Sequence, residues 1–328
     1  MTIQRNYVSL WCMSTLEKSY LEVNQIYHGY AEQIMCQIEP SSIALSVWSP
    51  PYNVGKEYEK GQSFAEWRDM LRNVIKAHVR VLKDGGFMVI NIADILCFQD
   101  EDMPKIQIAN PSLQKVSVTK EDILKVLAEH PEYKKKKLAE ILGCSEQTID
   151  RRLHGVNIRG GKYVTQTRVQ LVGNILQDYA QEVGLYLYDR RIWKKDAAWA
   201  NSRWTNSSYK SVDEFEHLFF FWKPGEISVK RERLSEKEWK EWGSRAVWEF
   251  PSVRANKEHE AMFPIELPSR CIRLLTDEGD VVLDPFMGSG TTALACINLN
   301  RHFVGIDKEL KYVQLAREKV AEASSRLL

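Results

Sequence analysis

The sequence has no Cys-x-x-Cys pair. Its six cysteines, at 12, 36, 97, 144, 271 and 296, are scattered over 328 residues. That spacing excludes the common zinc-ligand patterns and a dense disulfide framework, and points to reduced thiols in a cytoplasmic protein. Long apolar runs are also missing. The run at 218–222 falls far below the roughly 20 residues that a membrane helix needs. Met1-Thr2-Ile3-Gln4-Arg5 lacks the charged-then-apolar form of a signal peptide. Charge of one sign is scarce in excess: 45 Lys and Arg against 44 Asp and Glu leave +1. No global basic field announces nucleic acid, so a basic surface has to be local. There is no internal repeat and no low-complexity segment. Apolar residues, by contrast, make up 44 %, enough for a substantial core and too many for global disorder. The length fits one large domain or two ordinary ones. Ten tryptophans are present, several in polar surroundings.

Two stretches stand out. Val281-Val282-Leu283 reads as a short buried strand, and 291–299 as the start of a helix. Between them, Asp284-Pro285-Phe286-Met287-Gly288-Ser289-Gly290-Thr291-Thr292 is a glycine turn. Such a turn can bring backbone N–H groups and a helix N-terminus against a ligand. The other stretch, Ser49-Pro50-Pro51-Tyr52, halts a strand predicted at 43–48, because a proline pair cannot continue a central strand. Ser63 predicts the N-cap of a helix at 64–81, whose apolar residues recur at helical spacing. Lys83-Asp84-Gly85-Gly86 predicts its end before a strand at 87–92. This is one βαβ unit with a Pro-Pro-Tyr tip.

Between 95 and 180 the character changes. Thr119 predicts an N-cap for a helix to about 129. A helix over the lysine run at 134–137 that ends on Gly143, then a second short helix through Leu153, resembles a helix-turn-helix at about 134–153. Ala139, Gly143 and Ile149 hold the usual relative spacing. The second helix carries Gln147, Thr148, Arg151 and Arg152. From 134 to 168, nine Lys and Arg stand against three acids, a local excess that the net charge hides. Elsewhere the pattern predicts a short strand at 25–29, helices at 31–38, 169–183, 269–275 and about 309–325, and an exposed helix within the charged segment 224–244. Further strands are predicted at 185–193 and 216–222, and one over His302-Phe303-Val304-Gly305-Ile306 ends on Asp307. The loop 194–212 is rich in Trp, Asn, Ser and basic residues, among them Trp199, Arg203, Trp204 and Tyr209. Residues 1–24 carry no clear pattern and read as an arm.

The Asp-Pro-Phe-x-Gly-Ser-Gly-Thr-Thr turn, the strand ending on Asp307 and the upstream Ser-Pro-Pro-Tyr together resemble the amino-methylating DNA methyltransferases. The order of catalytic motif, variable insert and cofactor motif is similar to that of the beta group. Phe263-Pro264-x-x-Leu267-Pro268 and Val247-Trp248-x-Phe250-Pro251 match the same group. The resemblance covers roughly 25–94 and 185–320, about two-thirds of the chain. It implies an α/β fold: a Rossmann-like doubly wound sheet with permuted motif order and a mainly helical DNA-recognition insert. The implied layout is an N-terminal arm at 1–24, a catalytic half at 25–94, the insert at 95–180, and the rest of the domain with its cofactor half at 181–328.

The resemblance also implies S-adenosylmethionine as cofactor and no metal. Ser49 Oγ and the Pro50 carbonyl would accept hydrogen bonds from an exocyclic amine, Pro51 would stiffen the tip, and Tyr52 would stack on a base rotated out of the duplex. Asp284, Pro285, Phe286, Gly288, Ser289, Gly290 and Thr291 would form the cofactor turn, with Asp284 taking the ammonium. Asp307 would accept the ribose hydroxyls, and Phe263 and Pro264 would close over the methionine end. Gln147, Thr148, Arg151, Arg152 and Arg203 would contact DNA. None of the cysteines follows a proline, as the nucleophile of a cytosine-C5 enzyme would. One departure is Gly29-Tyr30, where the family often has Gly-Asp, so no contact is assigned there. Serine at position 49 is the form usual among cytosine-N4 enzymes. The expected activity is therefore N4 methylation of cytosine in double-stranded DNA, as the modification enzyme of a restriction-modification system. Its endonuclease would be a separate chain, and monomer and homodimer both remain open. The expected location is the prokaryotic cytoplasm, at the nucleoid. Adenine-N6 methylation and a non-catalytic helix-turn-helix regulator stand as alternatives.

Overall fold

The structure is a computed structural model, and it describes residues 20–52, 63–98, 107–109, 117–154, 163–165, 168–197, 211–227, 229–253 and 262–325. By internal contacts the chain divides into two compact units. The first runs up to Phe98 and includes Val169–Ala197 and Glu214 onward; the second comprises Gln99–Arg168 and Ala198–Asp213.

The first unit is built on one sheet of eight strands: β1 Gln25–His28, β2 Ile43–Trp48, β3 Leu82–Ile92, β4 Tyr186–Lys194, β5 Phe215–Trp222, β6 Val247–Glu249, β7 Val281–Asp284 and β8 His302–Asp307. Their spatial order is β1-β8-β7-β2-β3-β5-β4-β6. The first five in that order are parallel neighbours, whereas β5 runs antiparallel to both β3 and β4. From β7 the chain crosses outward to β8; from β2 it crosses the other way to β3. The winding therefore reverses between β7 and β2, which opens a crevice at the carboxyl ends of those two strands.

Period-2 alternation sends side chains of each strand into two cores. Met88, Ile90, Phe219 and Phe221 meet Leu71, Ile75, Leu176 and Ala180 on one face. Those last four belong to the helices Phe64–Val81 and Val172–Glu182. Leu45, Val47, Val89 and Phe220 meet Leu267, Ile272, Ala293 and Val313 on the other, from the helices Glu266–Leu275, Thr291–Asn298 and Leu310–Ser325.

Local signals act where they were expected. Ser63 Oγ accepts from Glu66 N at 3.2 Å while Ser63 N donates to Glu66 Oε2 at 2.8 Å, a reciprocal cap for the helix Phe64–Val81. Several expected bounds shift. β3 begins at Leu82 rather than 87, because Leu82 already pairs with Ile43 before a register irregularity. The helix expected at 31–38 is a single turn, Ala31–Ile34, continued by the tighter turn Met35–Gln37. The helix expected from 269 starts at Glu266, with Pro268 in a first turn whose N–H groups need no intrahelical partner. The segment 169–183 splits into a strand Arg168–Gln170 and the helix, whose Val172 N donates to Asp94 Oδ1 at 2.8 Å. The charged segment 224–244 forms only short turns, the last of which, Trp239–Gly243, buries Trp242 against Trp248.

The expected insert of 95–180 narrows to 99–168 with 198–213 added, because Leu176, Tyr179 and Ala180 are buried in the core of the first unit. Within the second unit, the helices Lys120–Glu129, Lys135–Ile141 and Glu146–His154 surround a small core of Val118, Ile123, Leu138, Ala139 and Ile149. Thr119 caps the first of them as expected, with Asp122 N donating to its Oγ1 at 3.1 Å. Gly143 turns between the other two at φ +61°, and Cys144 N donates to Ala139 O at 2.9 Å.

Candidate active site and cofactor-binding turn

The two motifs that lie far apart in sequence follow adjacent parallel strands. Leu283 of β7 is in register with Ser46 of β2, so the tip after Trp48 and the turn after Asp284 leave the sheet at the same edge, on either side of the reversal in winding. They also touch: the rings of Trp48 and Phe286 are 5.3 Å apart. Trp48 rests on His78, with ring centroids 5.7 Å apart and nearly parallel. His78 is buried, and burial pushes its pKa down to about 4, so the ring is neutral at physiological pH. Its Nδ1–H donates to Val74 O at 2.7 Å, which leaves Nε2 to accept the Ser46 hydroxyl at 2.8 Å. This satisfied pair supports the floor beneath the tip.

At the tip, Pro50 is buried while Ser49, Pro51 and Tyr52 are half-buried. Trp67 Nε1 donates to Pro51 O at 2.6 Å and anchors the loop to the helix Phe64–Val81. Ser49 Oγ donates to the Tyr52 hydroxyl at 3.1 Å, and Tyr52 donates to Glu216 Oε2 at 2.9 Å. The other oxygen of Glu216 accepts from Lys195 Nζ at 2.6 Å. Glu216 and Lys195 were not among the residues singled out from sequence. The available signal was an acid inside the otherwise apolar run of β5.

In the glycine turn, Gly288 and Gly290 take φ of +53° and +91°, a region that favours glycine. Asp284 organises the turn from within. Its Oδ1 accepts from Phe286 N at 2.9 Å and its Oδ2 from Thr292 Oγ1 at 2.6 Å. The residue is 1 % exposed, and burial pushes its pKa up to about 7. That closed position differs from the direct ammonium contact expected of it. Asp307, at the end of β8, receives Gly288 N and Glu309 N, both at 2.8 Å. Burial raises its pKa too. Pro285 and Ser289 are buried, Phe286 and Thr291 half-buried. Ser289 Oγ has no partner among the described residues. Phe263 and Pro264 are half-buried before the helix Glu266–Leu275, and Phe263 packs on the second core. A buried hydroxyl in want of a partner, a glycine turn opening a helix, and a carboxylate with lone pairs to spare suit a ligand carrying both amino-acid and ribose groups.

Thr148, in the second unit, is 8 % exposed and its Oγ1 lies 3.0 Å from Ser145 Oγ. It therefore sits at the capping turn and not on an exposed face. Arg152 is exposed and Arg151 half-buried. The side chain of Gln147, and Trp199, Arg203, Trp204 and Tyr209, lie outside the described residues. Tyr30, where the family's acid is absent, is 59 % exposed. Among the described residues no helix is long and apolar enough to cross a membrane, and no cluster of three or more His, Cys, Asp or Glu could hold a metal.

A family profile described as DNA methylase matches residues 43–318. The chain is 57 % identical over 302 residues to type II methyltransferase M.BglI of Bacillus subtilis, over 92 % of this chain and 87 % of that one. It is 26 % identical to type II methyltransferase M.Cfr9I of Citrobacter freundii, over 90 % and 88 % of the two chains. Among solved structures it is similar to PvuII DNA methyltransferase (cytosine-N4-specific), with a TM-score of 0.59 and 17 % identity over 94 % of this chain and 93 % of that one. A DNA modification methylase of Thermus thermophilus, TTHA0409, complexed with S-adenosyl-L-methionine, gives 0.57 and 23 % over 91 % and 93 %. At these identities the likeness to both structures is one of fold.

Proposed function

The chain belongs to the N6/N4 DNA methylase family and is an S-adenosylmethionine-dependent DNA methyltransferase; from that premise we propose that it methylates N4 of cytosine in double-stranded DNA. The observation that supports this reading is the meeting of Ser49-Pro50-Pro51-Tyr52 with the glycine turn across the reversal between β2 and β7, with a hydroxyl at position 49. An exocyclic amine is a poor nucleophile because its lone pair is delocalised into the ring. Ser49 Oγ and the Pro50 carbonyl accept its N–H groups and draw the nitrogen toward sp3. The proline pair holds that carbonyl in place, and the Tyr52 ring stacks on the flipped base.

Gly288, Ser289, Gly290 and Thr291, with Phe263 and Pro264, hold the methionine end of the cofactor, and Asp307 takes the ribose hydroxyls. Asp284, Pro285 and Phe286 hold the turn in shape. When bound, the cofactor supplies a methyl group on a sulfonium. Positioning by this chain contributes on the order of 7–11 kcal/mol.

Kinship with a type II methyltransferase supports a role as the modification partner of a restriction system, with the endonuclease on a separate chain. Arg151 and Arg152, beyond the Gly143 turn of the second unit, contact DNA. Nucleoside analysis after incubation of duplex DNA with labelled cofactor tests the base assignment. N4-methylcytosine is the expected product, and N6-methyladenine alone would reject it.

A further inference from the structure

We infer that Glu216 is a positioning residue that sets the polarity of the Ser49 hydroxyl, making Ser49 an obligatory acceptor toward the substrate amine. The inference rests on the proposed role of Ser49 and deepens it. A serine hydroxyl is ambivalent: it can donate or accept, and a Ser49 that donated into the pocket would oppose an amine that must donate. The hydrogen-bond chain removes the ambivalence. Glu216 is 8 % exposed and paired with Lys195 Nζ at 2.6 Å, a partner that favours its ionised form. An ionised carboxylate only accepts, so the Tyr52 hydroxyl donates to Glu216 Oε2 at 2.9 Å. The single proton of Tyr52 being committed, its oxygen receives the Ser49 proton at 3.1 Å. Both lone pairs of Ser49 then remain for the pocket. The same chain fixes the Tyr52 ring by its hydroxyl end.

Glutamine at 216 is a sharp probe because Lys195 has no acceptor. Lys195 takes the amide carbonyl, so the amide NH2 faces Tyr52. The chain then reverses: Gln donates to Tyr52, Tyr52 donates to Ser49, and Ser49 donates into the pocket. Loss of one charge-assisted hydrogen bond sets the scale at about 10- to 100-fold in rate. Glu216→Gln is expected to lower kcat by that factor with KM for DNA, and cofactor affinity measured by calorimetry, unchanged. Tyr52→Phe breaks the same chain. In the Tyr52→Phe background, Glu216→Gln should therefore have little further effect, a coupling that a merely structural role for Glu216 would not produce.

Should Glu216→Gln fail to fold, Lys195→Met combined with Glu216→Leu replaces the ion pair by apolar side chains without an orphan charge. The same loss of kcat and the same coupling to Tyr52→Phe are expected. Wild-type kcat in these variants, or losses that multiply with Tyr52→Phe, overturns the inference. Ser49→Ala separates the two levels: if it keeps full activity the proposed role of Ser49 falls, whereas if it is inactive and Glu216→Gln is not, only the role of Glu216 falls.

Discussion

At position 49 a hydroxyl occupies the tip of a loop held by two prolines and by Trp67 on Pro51 O. Ser49→Ala removes an acceptor without disturbing that backbone. Methyl transfer should fall by about 100-fold or more, on the scale of a lost preorganised polar contact, while calorimetry finds cofactor binding largely intact. Wild-type turnover would remove Ser49 from the chemistry. Asp307→Ala loses the acceptor that also ties Gly288 N to β8. Cofactor binding should weaken by about 10- to 100-fold, and unchanged affinity would take Asp307 out of the site. Asp284 makes a different prediction, because its carboxyl is buried. Its pKa is pushed up to about 7 from an ordinary 3.8, so the folded state holds the proton more tightly than the unfolded chain does. The resulting stability is full below about pH 4 and is lost as pH rises through about 7. Asp284→Asn should flatten the stability profile across that window and stabilise the cofactor-free protein at pH 8, by at most about 4 kcal/mol. A denaturation series in which the variant keeps the wild-type pH dependence would count against this.

Helix ends were legible because their signals are local. Ser63 with Glu66, and Thr119 with Asp122, form reciprocal caps within four residues of chain, and no distant partner is needed to recognise them. Ser63→Ala should cost about 1 kcal/mol in a denaturant titration. The start of β3 was not legible. Lys83-Asp84-Gly85-Gly86 reads as a helix stop, yet Leu82 already pairs with Ile43, and the glycines allow the strand to pass close to another segment. Gly85 has φ +80°, and a Cβ there would lie 2.2 Å from Glu226 O. Gly85→Ala should therefore destabilise by more than the ~1 kcal/mol of an ordinary glycine replacement; a neutral effect would mean that the 223–226 backbone gives way freely. The short turns at 236–243 escaped notice for a similar reason. Charged residues there suggest a solvated helix, but Trp242 is drawn under Trp248, a contact that only the sheet edge supplies.

For the molecule as a whole, a net charge of +1 hides the basic character of the second unit. If Arg151 and Arg152 neutralise phosphates, replacing both with Gln weakens DNA binding across sequences. It also lowers the salt slope by about 2, with cofactor affinity unchanged. A slope that stays at the wild-type value would move DNA contact elsewhere. The sequence by itself determined the alternation of strand and helix, both motifs and the caps, because those depend on neighbours within a few residues. It also carried Ser49, on which the base assignment rests. Tertiary structure alone decided the rest. Parallel register sets Ser46 beside Leu283, and the reversal of winding turns two distant loops into one crevice. Asp284 proves to be an internal brace, Thr148 a buried partner of its capping turn, and Glu216, unremarkable in sequence, the end of a hydrogen-bond chain that reaches Ser49. The physical reason is common to all of these: burial and hydrogen-bond direction depend on groups contributed by other strands, and the sequence does not state which strands become neighbours.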